Sequence, residues 1–437
     1  MFKYYFLLGV RSLRRNPALT ALMVLTLAIG VAASVSTLTI LHVMSGDPIP
    51  GKSDKIFIPT MDIGPLEGWV PAERDSDDQL TYIDTMNLLK SDIGVRKTGL
   101  FGVTYALEAE RADLGMLSVE GLAPSRDFFA MFGVPFKYGQ PWSEADEKNG
   151  TDVVVLGRAL SEKLFGNVDP VGKRINLEGL PHQIVGVMAD WRMVPKFYRL
   201  IGGPGAFGTQ EEFMVPLATA IRNKSGHSGS MNCSSRRTPG YQGLLDSECT
   251  WIQFYFEMNA AGDRAALQNY IDNYSAEQRK LGRMKRNVPN KLYNVMEWLE
   301  RQKVVGNDNR LSVWLAFGFL LLCLVNTIGL LLAKFSVRAA EVGIRRALGA
   351  SRKEIFQQFL IETGVVGLAG GVLGLLLAFG ALALIRTQSD DLATVAHMDW
   401  AMLGATFGLS LLAAVLAGLL PTWRACQVTP AIQLKSQ

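Results

Sequence analysis

The sequence predicts an α-helical membrane protein with four transmembrane helices and one large α/β domain outside the cytoplasm. Three observations predict it: four apolar segments of spanning length, a charge-dispersed stretch over 45–310, and basic residues gathered beside the inner ends of the spans. The 437 residues are 49% hydrophobic, enough for several spans but too little for a chain made only of them. The net charge of +4 comes from bases flanking apolar segments, without a basic, aromatic-interleaved patch. Membrane topology explains that excess, and nucleic acid is not an expected partner. None of the four cysteines forms a C-x-x-C pair, which argues against a zinc or thioredoxin-like centre.

Residues 1–17 set Phe6, Val10 and Leu13 on one helical face with Arg11, Arg14 and Arg15 free for headgroups, as in a cytoplasmic interfacial helix. Residues 18–44 carry no formal charge and can cross a core of roughly 30 Å, so they form the first span. This run exceeds a signal-peptide core of roughly 7–15 residues, and no small-x-small site precedes Asp47. A retained anchor is expected.

Within 45–310, KIFIPTMD, TYIDTMNLLKS and VTYALEAE predict strand, helix and strand between Lys55 and Glu110. A second such unit comes late, with a strand over Trp251–Met258 and a helix over Asp263–Leu281 carrying Leu267, Tyr270, Ile271 and Tyr274. The two units are expected to pair into one lobe. Between them, the strand candidates LSVEGL, DVVVLG and HQIVGVMAD predict an inserted, mostly β lobe over 113–218. Residues 219–250 form a loop rich in Ser, Gly and Arg, whose Cys233 and Cys249 can close a disulfide worth roughly 3 kcal/mol. Leu292, Val295, Met296 and Leu299 at helical spacing predict a stalk that continues into the second span.

That span is 311–333, uncharged, with Asn326 expected either to bond a neighbouring helix or to face the bundle interior. The third span is 359–386 and the fourth 400–423, joined by an outer loop, 387–399, that carries Asp390, Asp391 and Asp399. Gly367, Gly371 and Gly374 in the third span, and Gly404 and Gly408 in the fourth, predict close helix packing. Glu362, near the inner end of its span, is expected to take a snorkelling or interface position rather than to serve as an ion-coupling carboxylate. Cys323 and Cys426 read as small apolar side chains, and 424–437 as a cytoplasmic tail.

Residues 334–358 are the informative stretch. Arg338, Arg345, Arg346, Arg352 and Lys353 face only Glu341 and Glu354, a bias that holds a loop inside the cell. Gly349 can close one helix and Ser351 cap the next, where Ile355, Phe356, Phe359 and Leu360 share a face. The pattern is a docking element: helix, break, helix.

The run EVGIRRALGASRKEI, with Asn326 upstream, resembles the signature of the MacB/FtsX family of ABC-transporter permeases in the order Glu341, Gly343, Arg345, Ala347, Gly349, Ala350, Ser351. Val342 stands where the family often has isoleucine. VEGLAPSRDFFAMFGVPFKYGQPW and the segment from VVVLGRAL to VGVMADW resemble the periplasmic core domain of MacB-type permeases. The net positive charge of the three inner segments is what places both termini in the cytoplasm. The resemblance implies a porter-like lobe holding the mostly-β insert and residence in the bacterial inner membrane. It implies a cytoplasmic ABC ATPase dimer contacting Glu341, Gly343, Arg345, Arg346, Gly349, Ser351 and Arg352. ATP and magnesium would be held by that partner and no cofactor by this chain. A second permease, identical or related, is implied as well, as are a periplasmic adaptor and an outer-membrane duct. The implied activity is mechanotransmission in a type VII system that exports a peptide, lipopeptide, drug-like or lipoprotein substrate. An FtsX-like signalling permease controlling a cell-envelope hydrolase is the alternative, although its outer domain is usually smaller.

A membrane-anchored envelope enzyme is the remote alternative, because the catalytic motifs fail. GNVDPVGKR puts five residues between its glycines, and Arg174 replaces the magnesium-binding hydroxyl of a phosphate loop. GHSGS approaches a nucleophile elbow but ends on Ser230, and His42, His182, His227 and His397 lack ligand spacing.

Overall fold

The computed structural model describes residues 16–67, 77–109, 114–203, 205–233, 236–388, 396 and 400–426. Most of the expected interfacial helix, the aspartate-bearing loop and most of the tail lie outside them. The chain divides into two compact units, Gly46–Val304 and the combination of Met1–Ser45 with Val305–Gln437. The first described element, α1 (Pro17–Met44), belongs to the second unit.

In Gly46–Val304 the elements run β1 (Ile56–Thr60), α2 (Tyr82–Leu89), β2 (Arg96–Glu108), β3 (Met116–Pro124), α3 (Asp127–Phe132), β4 (Phe136–Gly139), α4 (Glu144–Asn149) and β5 (Val153–Leu156). They continue with α5 (Arg158–Phe165), β6 (Arg174–Leu177), β7 (Leu180–Met188), β8 (Phe213–Met214), α6 (Leu217–Arg222), β9 (Asn232–Cys233), α7 (Tyr241–Leu245), β10 (Cys249–Thr250), β11 (Gln253–Glu257), α8 (Arg264–Lys280), β12 (Lys291–Asn294) and α9 (Val295–Arg301). The early and late β–α units meet: β1 pairs antiparallel with β11 and β12, and β11 with the first residues of β2. Alternation along β1 sends Ile56 and Ile58 to one core and Phe57 to another, where Phe57 meets Leu267 and Ile271 of α8.

β2 is long enough, at 13 residues, to serve both halves. Its later part pairs with β3, and the pairings then run β3–β8, β8–β5, β5–β7, β7–β6 and back from β6 to β2. The inserted strands therefore close into a ring. Phe101, Val103, Tyr105 and Leu107, every second residue of β2, enter the ring's core with Val154, Leu156, Ile175 and Leu177. Gly121 of β3 is where the packing allows no side chain, since a Cβ there would lie 2.5 Å from the Phe213 ring. Cys233 and Cys249 are joined by a disulfide across the β9–β10 pair.

The expected unbroken stalk is not formed. Leu292 lies in β12, Asn294 caps α9 in a box with Glu297, and α9 stops at Arg301. The next helix, α10 (Asn307–Val337), starts afresh with Gly306 as its N-cap.

The membrane-type unit comprises α1, α10, α11 (Ala339–Ala347), α12 (Arg352–Arg386) and α13 (Trp400–Cys426). Four of these helices are long and apolar enough to cross a membrane. Buried Leu27, Val31 and Val35 of α1 cluster with Leu320 of α10 and Ala413 of α13. Close approach is real at Gly374, where a Cβ would lie 3.0 Å from the Ala28 carbonyl oxygen, and Gly367 and Gly371 are buried beside it. At Gly404 and Gly408 it is not: both face open space, and the tight contact of α13 is made by Gly418 against Thr363. Asn326 corrects both expectations, being exposed on the outer face of α10 while its neighbour Thr327 turns inward.

Candidate coupling site

The helical turn joining α10 to α12 is built by three local devices. α10 runs on beyond its uncharged span to Val337, bringing Lys334 and Arg338 to its C-terminal end. Gly349 adopts a φ of +99°, a left-handed conformation that glycine takes without strain, and the N–H of Ala350 closes onto the Arg345 carbonyl at 3.0 Å. Ser351 then starts α12: its hydroxyl accepts from the Glu354 N–H at 3.2 Å, and the Glu354 carboxylate accepts from the Ser351 N–H at 3.0 Å. The third span and the second half of the basic segment are thus one continuous helix of 35 residues.

α11 is held down by its apolar side. Val342 is buried in a cluster with Met23, Leu331, Phe335, Ile355, Phe359, Val366 and Ala417, and the Phe335 and Phe359 rings lie 4.4 Å apart. Gly343 is buried with Val342, whereas Arg345 and Gly349 are exposed. Arg346 and Glu341 are half-buried, and Ser351 and Arg352 are exposed. The structure brings the sequence-derived residues onto one turn but divides them: Gly343 anchors, Glu341 bridges, and Arg345, Gly349, Ser351 and Arg352 face outward.

Sequence reasoning missed two sets of residues here. Ile344 and Leu348, one helical turn apart, are 60% and 83% exposed, so the outward ridge of α11 is apolar beside its arginine. The periodicity carried that signal, because Val342 and Ile344 cannot face the same way on a helix. The second set is electrostatic. Glu362 does not snorkel; it is buried between Lys334 Nζ at 2.9 Å and Arg338, whose Nη1 lies 2.9 and 3.1 Å from the two carboxylate oxygens.

From there the charges continue outward. Arg338 Nε lies 3.7 Å from Glu341, Glu341 accepts from Arg345 Nη2 at 2.6 Å, and Arg345 Nη1 donates to Gln358 at 2.9 Å. Buried ions persist only when paired, and here one chain of pairs ties α10, α11 and α12 together. Arg345 is linked to Glu362 through the Glu341 carboxylate and the Arg338 guanidinium.

Neither tempting catalytic motif has its required context. The glycine loop Gly166–Gly172 leads into strand β6 rather than a helix, and Ser228 bridges to Gly102 with no helix following.

A family model for the MacB-like periplasmic core domain matches residues 20–274, and one for the FtsX-like permease C-terminal region matches 313–430. The chain is 27% identical over 320 residues to the macrolide export ATP-binding/permease protein MacB of Wolinella succinogenes, covering 72% of this chain and 43% of that protein. It is 27% identical to the pyoverdine export ATP-binding/permease protein PvdT of Pseudomonas syringae pv. syringae over 71% of this chain and 42% of that one. To MacB of Azoarcus sp. it is 24% identical over 98% of this chain and 59% of that protein. The chain therefore spans less than two thirds of the length of these relatives. The periplasmic region of MacB from Actinobacillus actinomycetemcomitans overlays 59% of this chain and 95% of that structure at 14% identity, with a TM-score of 0.37. With one family model covering more than half of its residues, the chain belongs to the MacB/FtsX family of ABC-transporter permeases.

Proposed function

We propose that this chain is the permease of a MacB-like export system whose ATP hydrolysis is carried out by a cytoplasmic ABC ATPase dimer. ATP and magnesium are bound by that ATPase and not by this chain. The observation that carries the reading is the outward ridge of Ile344, Arg345 and Leu348 on α11, rooted through Glu341 in the buried Glu362 cluster. An exposed apolar pair beside a fixed guanidinium suits a protein groove with an acidic rim, and its root converts pressure on α11 into strain between α10 and α12.

Closure of the nucleotide-loaded ATPase displaces α11, the displacement biases two arrangements of the spans, and the Gly46–Val304 unit changes conformation outside. This requires the α11 turn and both termini to be cytoplasmic and Gly46–Val304 to be periplasmic. Two permeases act per complex, because four spans are too few to enclose a wide aqueous path. The relatives are named for export of macrolides and of pyoverdine, and the substrate proposed for this chain is a peptide, lipopeptide, drug-like molecule or lipoprotein, delivered through a periplasmic adaptor and an outer-membrane duct.

The test replaces Gly343, Arg345 and Gly349 together in the full-length chain. Insertion and expression are expected to persist while ATPase stimulation by the permease is lost; undiminished stimulation rejects the docking role. Co-purification with a peptidoglycan hydrolase in place of an adaptor would move the assignment to FtsX-like signalling.

A further inference from the structure

The helix of the second span begins afresh at Asn307, so a pull on it enters the Gly46–Val304 unit through the chain that precedes it, and that chain is α9 with its last turn. α9 is seven residues long and tied at both ends. At its start the Val295 N–H donates to the Ser53 carbonyl at 3.1 Å, and Glu297 pairs with Arg264 of α8 at 2.8 Å. At its end the N–H groups of Gln302, Lys303 and Val304 bond to the carbonyls of Trp298, Glu300 and Leu299 at 2.9, 3.0 and 3.1 Å. Val305 and Gly306 alone separate this closed turn from α10.

Side chains of α9 and its last turn reach into other parts of the same unit. The Trp298 indole N–H donates at 3.2 Å to the Phe197 carbonyl, in the connection from β7 to β8 of the ring. Arg301 lays its guanidinium on Asp78, with Nε at 2.9 Å and Nη2 at 2.7 Å from one carboxylate oxygen, and the Gln302 amide donates to the other oxygen at 2.8 Å. Three donors thus grip one half-buried carboxylate, two of them in a charge-assisted fork. The backbone on either side of Asp78 is bonded to both halves of the sheet. The Asp77 N–H donates to the Met61 carbonyl just beyond β1 at 3.1 Å; the Leu80 N–H donates to Ile252 at 2.7 Å, and the Leu80 carbonyl accepts from Trp251 at 3.1 Å. Met61 and Leu80 are buried with Leu267 and Ile271 of α8, whereas Trp251 and Ile252 are buried in the core of the ring.

We propose that Asp78 is the anchor through which movement of the second spanning helix reaches both halves of the outer unit, with α9 as a short lever between them. The inference rests on the reading that displacement of the spans is passed outward, and adds where it crosses: through one carboxylate in place of a continuous helix. A short helix pulled from its C-terminus either carries its neighbours along or peels away from them, and the contacts nearest the pull are loaded first. Arg301 and Gln302 are those contacts, and Asp78 is the group they share. A guanidinium held through two nitrogens also resists turning about the contact, as a single ammonium would not. Asp78 is therefore a positioning residue, acting on the ring and on the α8 side through the backbone from Asp77 to Leu80.

The test follows hydrogen exchange of β2, β3 and β7 in the full-length chain assembled with its ATPase, with and without ATP and vanadate. Asp78→Ala is expected to insert and to stimulate the ATPase as the parent chain does, because the α11 turn is untouched, yet to lose the nucleotide-dependent change in exchange. Arg301→Lys, which keeps the charge but not the fork, is expected to lose part of that change and serves as the second variant if the alanine chain fails to fold. Covalent rescue separates a mechanical role from a structural one. With Cys323→Ala and Cys426→Ser removing the other free thiols, Asp78→Cys combined with Arg301→Cys is expected to be unresponsive until a short bismaleimide joins the two thiols. An undiminished response in Asp78→Ala overturns the anchor and leaves the export reading standing. A response that is lost and not restored by the cross-link also overturns it, since the contact then only supports the fold. The absence of any nucleotide-dependent change in the parent chain overturns the transmission reading, and the anchor with it.

Discussion

Arg338 and Glu362, 24 residues apart, meet in a two-pronged contact of 2.9 and 3.1 Å that closes the base of the α10–α11–α12 turn. Lys334 completes the cluster from one turn earlier, at 2.9 Å from the same carboxylate. One acid thus faces two bases, the buried Lys334 and the half-buried Arg338. Glu362→Gln keeps the shape and removes the charge, leaving the buried Lys334 ammonium without its counter-ion and Arg338 with only the more distant Glu341. The expected cost is about 3–5 kcal/mol, seen as a lower melting temperature in detergent together with weaker ATPase coupling. A double-mutant cycle with Lys334→Met should return a coupling energy well above the value of exposed pairs, about 0–1 kcal/mol.

The break between α11 and α12 depends on Gly349 and Ser351. Gly349→Val forces a β-branched residue to a φ of +99°, at an expected cost of about 1–3 kcal/mol. Ser351→Ala removes the cap at about 1 kcal/mol. Both variants should insert normally yet lose ATPase binding in co-purification. Ser351→Asp, which restores an acceptor, should recover it.

Burial pushes the Glu147 carboxyl up to about 7, even though it accepts a hydrogen bond from the Trp142 indole at 2.8 Å. An acid with a raised value in the folded state holds a proton that the unfolded chain has released from its ordinary 4.5 upward. Stability is therefore lost as pH climbs from about 4.5 to 7, and the loss persists above that window. Glu147→Gln should flatten this dependence and add on the order of 2 kcal/mol at pH 8, with no gain at pH 4. Urea unfolding at the two pH values checks it.

The Cys233–Cys249 bridge closes a separation of 16 residues. Cys233→Ser should cost about 3 kcal/mol in the chain-entropy view and raise proteolytic cleavage between 219 and 250. Cleavage within the ring strands β2, β3 and β7 should rise as well, because Cys249, Leu244 and Leu245 are buried in the same core.

Much of this architecture was legible because it depends on local pattern. The spans follow from length and the absence of charge, and the Gly349–Ser351 break from two capping residues whose chemistry admits few alternatives. The split β–α units were also readable, since β1 and β11 each carry a full strand signal. The stalk was misjudged where helical spacing ran across a strand-to-helix junction. Asn294 and Glu297, a capping pair in plain view, mark where α9 begins. Other features are non-local. Nothing in RINL foretells that β6 bonds both β2 and β7 and so closes the ring. The burial of Glu362 depends on two cations from another helix, and the outward turn of Asn326 on how α10 is rotated about its axis.

The β9–β10 staple also records history. A thiol pair this close in sequence is sealed only after the loop leaves the reducing cytosol, so the oxidation state of Cys233 reports which side of the bilayer each molecule's outer domain has reached. Alkylation before and after reduction would then count properly exported domains in a living cell, with the protein serving as its own topological label.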